Sequence, residues 1–206
     1  MKEEVLDLHG LYRVQKKGLK KCADVAARAF MDDPSSKYLL KKNLSCPKLY
    51  NYYLNAFKAL YSDAYILAPS EAIEGVLILM PPGTSRVASG KFIKAGGLLL
   101  PFSVCWGILS RSIEYENNNC KIRQSVCTDE TWYIFQVAVD PTKQGLGLGS
   151  VMMRPFFNWL DERHLPCYLE THTEKNVDLY THYGFSVKCT DTLPDKSHKQ
   201  YAMLRL

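Results

Sequence analysis

The chain has 206 residues, 47% hydrophobic and 23% charged, with a formal net charge of +5. That composition belongs to a globular protein with room for a sizeable core, and it excludes a disordered or fibrous chain. The charge suits an anionic ligand, but it is too small, and too free of basic runs interleaved with aromatics, to indicate nucleic acid.

The opening stretch "MKEEVLDLHG" has no apolar core segment, so no secretory signal is expected. "KKGLKKCADVAARAFMDDP" predicts a first helix with Ala23, Ala26, Ala27 and Phe30 on one face, stopped by Asp33-Pro34. "CPKLYNYYLNAFKALY" predicts a second, with Pro47 in its first turn and Leu49, Tyr53, Phe57 and Leu60 in one stripe. "AYILAP" and "AIEGVLILM" predict a strand pair turning at Ser70-Glu71. Residues 86–126 are helical in pattern and too long for a simple connection, so they predict an insertion. Within it, "AGGLLLPFSVCWGILS" is shorter than the about 20 apolar residues of a membrane span, and no membrane association is expected. It predicts a buried helix or a helix at a subunit contact, leaving monomer or homodimer open.

"TWYIFQVAV" is β-branched and aromatic and predicts a strand. A helix follows over 149–163, with Pro155 inside it, then the strand "PCYLETH" and a helix "EKNVDLYTHYG" closed by Gly184. "FSVKCT" and "KQYAMLRL" are the last strands. The cysteines, Cys22, Cys46, Cys105, Cys120, Cys127, Cys167 and Cys189, are odd in number, widely spaced and without a CxxC. Neither a disulfide framework nor a metal site is expected, and reduced thiols in a cytoplasm are.

Between the strand and helix lies "VDPTKQGLGLGS". Three glycines in so short a turn suggest a loop whose backbone N–H groups approach phosphate. A P-loop is excluded because no lysine follows Gly149. A dinucleotide loop would run Gly145, Gly147 and then a third glycine where Ser150 stands. Glu170, about 20 residues on, imitates the ribose-binding acid of such a loop. Too little chain follows, however, for a doubly wound domain, and the last two strands have no helix between them.

The remaining form is Q-x-x-G-x-G, carried by Gln144, Gly147 and Gly149. With "VAVDP" before it, this stretch resembles the acyl-CoA pyrophosphate loop of the GNAT superfamily of N-acetyltransferases. "LETHTEKNVDLYTHYGF" is similar to that superfamily's following strand and helix. "LET", Asn176, Tyr180 and "YGF" are most similar to the branch of puromycin-type antibiotic acetyltransferases. The resemblance spans roughly 132–206; the earlier part matches in element order only.

It implies an α/β (α+β) fold: a mixed, mostly antiparallel central sheet flanked by helices, with a helical insertion before the CoA-binding strand. It implies one domain over 1–206, with an acceptor-side half (1–130) and an acetyl-CoA-binding half (131–206). The co-substrate that the resemblance implies is acetyl-CoA, and no metal is expected. Gln144, Gly145, Leu146, Gly147, Leu148, Gly149 and Ser150 would cradle its pyrophosphate at a helix N-terminus, with Lys143 and Arg154 near. Val137, Ala138 and Val139 would pair with the pantetheine arm, and Asn176 and Tyr183 would contact CoA.

The resemblance makes Tyr180 the acid beside the departing sulfur, since a phenol with a pKa of about 10 is protonated at neutral pH. Glu170, at a strand end, would act as base or hold the substrate ammonium; His172 and His182 are nearby. The acceptor would be a primary amine, of a small molecule, in a pocket between the halves. Tyr50, Tyr52, Tyr53, Tyr61, Trp106 and Trp132 are candidates to line it. The alternatives are a protein N-terminal or lysine acetyltransferase, a non-catalytic CoA-binding sensor, and a nucleotide-dependent oxidoreductase.

Overall fold

A computed structural model describes residues 6–84 and 89–206. Residues 1–5, and with them half of the stretch read for a signal, lie outside the described residues, as do 86–88, the start of the expected insertion. The elements run β1 (Tyr12–Arg13), α1 (Leu19–Ala29), α2 (Pro34–Leu40), α3 (Cys46–Leu60), β2 (Tyr65–Ala68), β3 (Gly75–Met80), α4 (Ser89–Lys94), α5 (Leu100–Ser103), α6 (Ile108–Val126) and β4 (Trp132–Val139). They continue with α7 (Leu148–Asp161), β5 (Cys167–Thr171), α8 (Glu174–His182), β6 (Ser186–Thr192) and β7 (Lys199–Arg205).

The seven strands form one sheet in the order β1-β2-β3-β4-β5-β7-β6. Every neighbouring pair is antiparallel except β4 with β5. β3 shows how the sheet is held. Its six residues are all buried, and the period of two sends Val76, Ile78 and Met80 to one face and Leu77 and Leu79 to the other. A strand covered on both sides therefore reads as a continuous apolar run. The first face carries α1 and α3, whose Ala23, Ala26, Ala27, Leu49, Phe57 and Leu60 are buried in the same core. The second carries α7, through Met152, Met153, Phe156, Phe157 and Leu160. The helix continues through Pro155.

Asp33-Pro34 does not stop the first helix, which ends at Ala29; it starts the next one. The Asp33 carboxylate accepts from the Ser35 N–H at 2.8 Å and caps α2, with Pro34 in its first turn. The stretch 95–110 corrects a second expectation: it is not one helix, and it is buried only in part, through Leu100, Val104, Cys105 and Ile108. Gly96 and Gly107 sit at φ 102° and 81°, breaking it into a 3-10 turn, the four-residue α5 and the start of α6. Leu98, Leu99, Phe102 and Trp106 face outward. All seven cysteines are free. No helix among the described residues is long and apolar enough to cross a membrane.

Candidate active site

β4 and β5 run parallel but pair only at Trp132 with Cys167 and Tyr133 with Tyr168. Both strands continue, β4 to Val139 and β5 to Thr171, each held on its far edge by an antiparallel neighbour. The cause is in β4. Ile78 pairs with Gln136 and Leu79 with Ile134, so Phe135 is an extra residue, a β-bulge. A bulge bends and twists its strand and re-aims side chains. The sheet opens there into a wedge, leaving the β5-facing edge of β4 beyond Tyr133 without a strand partner among the described residues.

The glycine loop sits past the end of β4. Asp140 fixes its entry: the carboxylate accepts from the Thr142 N–H at 3.0 Å and from Arg28 of α1 at 2.8 Å. Gln144 Nε2 donates to the Val139 carbonyl at 3.3 Å. Gly145 and Gly147 adopt φ +81° and +76°, and a Cβ at either would meet nothing within 4 Å. Their backbone therefore needs glycine, and the space beside it is open. Gly147 precedes the first turn of α7, which no side chain caps. Uncapped N–H groups at the positive end of a 14-residue helix form a ready anion site. Ser150 Oγ lies 2.5 Å from the Tyr183 hydroxyl, joining the start of α7 to the end of α8. Lys143 and Arg154 are exposed.

At the mouth of the wedge, on the α1–α3 side, is a cavity of about 470 Å³. Phe135, Gln136 and Val137 of β4, Leu169, Glu170 and Thr171 of β5, and Asn176 and Tyr180 of α8 form one side. The other comes from Phe30, Asp33, Tyr52 and Tyr53, from Phe92 of α4 and from Ile113 and Tyr115 of α6. The structure thus brings Val137, Glu170, Asn176 and Tyr180 to one cavity. It does not bring the glycine loop or Val139 there, and the Ala138 side chain is buried in the core. Of the aromatic residues expected to line a pocket, only Tyr52 and Tyr53 do. Trp132 packs on the opposite face with Phe156, Trp106 is exposed, and Tyr50 and Tyr61 lie elsewhere.

Tyr180 is half-buried, edge-on to Phe185, and its hydroxyl has no hydrogen-bond partner among the described residues. Burial pushes its pKa up to about 12, so it holds its proton across the physiological range. Glu170 is not a loose strand-end carboxylate. Its side chain is 4% exposed and accepts from Arg123 Nη1 at 3.0 Å. Arg123, equally buried, also donates to Glu116 at 2.6 Å and stacks over the Tyr133 ring. Burial raises the Glu170 pKa, while the guanidinium and the Tyr133 and Tyr168 hydroxyls pull against it.

His172 follows β5. Its Nε2 is 3.2 Å from the Tyr115 hydroxyl and its Nδ1 is 3.8 Å from Asp33. Burial lowers its pKa against the pull of Asp33, favouring the neutral ring. His182 is exposed and borders a separate depression with Arg154 and Arg205.

Sequence reasoning missed Arg123, Tyr115, Asp33 and Gln136 as members of this cavity's wall or its charge network. Only Gln136 left a signal: it is the one polar side chain inside the apolar run "WYIFQVAV". It is 7% exposed and its Oε1 has no partner among the described residues.

Comparison with known proteins agrees with this geometry. A model of the acetyltransferase (GNAT) family matches residues 112–185, which span α6 through α8 and so contain the wedge and the loop. An uncharacterized N-acetyltransferase of Schizosaccharomyces pombe is 26% identical over 185 residues, covering 84% of this chain and 72% of the relative. A crystal structure described as histone acetyltransferase HPA2 and related acetyltransferase, from Corynebacterium glutamicum, superposes with a TM-score of 0.67 at 17% identity. It covers 95% of this chain and 94% of that one. Arylalkylamine N-acetyltransferase 2 of Aedes aegypti gives 0.59 at 15% identity, covering 95% and 97%. The seven-stranded, mostly antiparallel sheet is thus a GNAT fold. Together the matches support an N-acetyltransferase; GNAT acetyltransferases use acetyl-CoA.

Proposed function

We propose that this chain, whose fold and family match support a GNAT-type N-acetyltransferase, moves the acetyl group of acetyl-CoA to a primary amine of a small molecule. The observation that carries the reading is the meeting of two features at Phe135: a strand edge, without a strand partner among the described residues, leading to the glycine loop, and a cavity with carboxylates in its wall. The residues fit acetyl-CoA. Gly145 and Gly147 leave open space beside an uncapped helix start, and the β4 edge from Val137 to Val139 offers backbone groups to an amide-bearing arm. Ser150 and Tyr183 lie next to that helix start, and Asn176 lines the cavity beside Tyr180.

The acetyl donor supplies a thioester whose carbonyl carbon accepts the amine nitrogen and whose C–S bond then breaks. The chain's part is orientation and proton handling. Among the described residues, Asp33 and Glu170 set two carboxylates against the one guanidinium of Arg123 and favour a cationic amine. Glu170 is buried and accepts from Arg123, so it acts here as an anchor for charge rather than as the base. His172, kept neutral by burial, takes the amine's proton directly or through water. Tyr180 donates its hydroxyl hydrogen toward the sulfur as charge develops there.

A small acceptor is favoured over a protein terminus because three sides of the cavity are walled, by α1–α3, the insertion and the sheet. This agrees with the resemblance to puromycin-type enzymes. The test follows thiol release from acetyl-CoA with a panel of small primary amines and, separately, with peptides bearing free N-termini or lysines. Turnover with amines and none with peptides is expected. Turnover with peptides alone would move the acceptor to the protein class.

A further inference from the structure

The cavity changes character from floor to mouth. Its floor is polar: Glu170 and Asp33 have side-chain exposures of 4% and 14%, and Gln136 Oε1 has no partner among the described residues. Its mouth is apolar. Ile93, Leu98 and Ile113 line the cavity and are at the same time 50%, 60% and 62% exposed. The apolar surface continues outward through Leu99, Phe102 and Trp106, exposed by 65%, 76% and 75%, the last two rings edge-on at 5.3 Å. Six of the eleven exposed large hydrophobics among the described residues thus fall within 93–113. Scattered exposed apolar side chains are ordinary; a contiguous patch opening on a cavity marks a binding surface. The patch is not a frayed end, since Leu100, Val104, Cys105 and Ile108 of the same stretch are buried in the core.

We infer that the acceptor is an amphiphilic amine: a primary amine on an alkyl or arylalkyl body longer than the cavity, its far end lying on this rim. This rests on the acetyl-transfer reading above. The ammonium meets the carboxylates of the floor, the body fills the space between Phe30, Tyr53, Phe92 and Leu109, and the tail covers Leu98, Ile113 and, for the longest substrates, Phe102 and Trp106. A short polar amine satisfies the floor alone and leaves the rim wet.

The experiment measures kcat/KM by thiol release for the linear primary amines from propylamine to decylamine, each below its micellar concentration. Full burial of a methylene is worth about fourfold, and burial on a half-open rim less, so a rise of about a hundredfold across the series is expected. The double variant Leu98→Ser, Ile113→Ser changes exposed side chains and should fold; it is expected to cut the ratio of decylamine to propylamine kcat/KM by about tenfold. A flat or falling series with propylamine accepted overturns the inference and leaves acetyl transfer standing. Thiol release with no amine, despite saturable binding of acetyl-CoA, overturns the acetyl-transfer reading itself. A sedimentation dimer that Phe102→Ser, Trp106→Ser dissociates, with the amine series unchanged, assigns the rim to a second copy of the chain and also overturns the inference.

Discussion

Tyr180→Phe removes one oxygen from the site and keeps the ring against Phe185. The hydroxyl bonds to no described residue and is partly open to the cavity, so the variant should lose less than about 1 kcal/mol of stability. The catalytic loss follows from the acidity. Burial raises the phenol to about 12, whereas a thiol has a pKa of about 8.5. Complete transfer of the proton to sulfur is therefore uphill by more than three units. What the hydroxyl offers is a hydrogen bond to a developing thiolate, and a bond to a charged partner is worth about 1.5–3 kcal/mol. The expected loss is about 10- to 150-fold in the transfer step, below the upper range of a full general acid. Single-turnover transfer is the assay, with acetyl-CoA affinity measured in parallel and expected to stay constant. The wild-type rate should also show no decline from Tyr180 ionisation until pH approaches 12. A Phe variant that transfers at the wild-type rate while chemistry is rate-limiting would refute the assignment.

Four further outcomes follow. Gly147→Ala must hold an L residue at φ +76°, costing about 1–2 kcal/mol of stability, and its Cβ enters the space assigned to phosphate; acetyl-CoA affinity by calorimetry should fall at least about tenfold. Gly149→Ala, at a helical glycine whose added Cβ would lie 3.9 Å from Met153, should keep or slightly raise stability, so a mere stability effect at Gly147 can be separated from a binding effect. Arg123→Met removes the guanidinium bonded to Glu170, whose side chain is 4% exposed, and should cost about 3–5 kcal/mol in urea unfolding; a loss under about 1 kcal/mol would show that this pair is not what holds α6 to the sheet. Burial raises Cys22 and Cys127 to about 12 and pushes Tyr133 and Tyr168 well up, so the folded chain keeps protons that the unfolded chain sheds. The stability these groups contribute is complete below about pH 8.5, the unfolded thiol value, and is lost as pH rises toward 12 and beyond. The urea midpoint should fall between pH 8 and pH 11, and a constant midpoint would contradict it.

The strand and helix order was largely legible because most elements carry one clear period. β3 and β4 are apolar runs, and α3 places Leu49, Tyr53, Phe57 and Leu60 on one stripe, all buried. Two-residue β1 is too short to hold a pattern. α2 was hidden because an Asp-Pro that reads as a helix stop is here a helix start: α1 already ends at Ala29, and Asp33 caps α2. The 95–110 stretch was misread because hydrophobicity alone does not tell a buried helix from a broken one presented outward; its glycines carried that information. The glycine loop was legible because three bare positions in one turn have few other uses. The charge network was not. Arg123 and Glu170 lie 47 residues apart in sequence and meet only through the packing of α6 on the sheet. The aromatic wall shows the same limit: rings near the cavity in sequence, such as Trp132, turn to the other face of a strand whose residues alternate.

The central claim is chemical transfer, and one measurement reaches it most directly. The protein is incubated with acetyl-CoA and octylamine, free thiol is quantified over time, and the amine products are identified by mass spectrometry. N-acetyloctylamine and free CoA thiol are expected in a 1:1 ratio, rising together and dependent on protein. Tight binding of acetyl-CoA with no acetylated amine and no thiol, for octylamine and for every other amine tried, would contradict that claim and leave a CoA-binding protein without this chemistry.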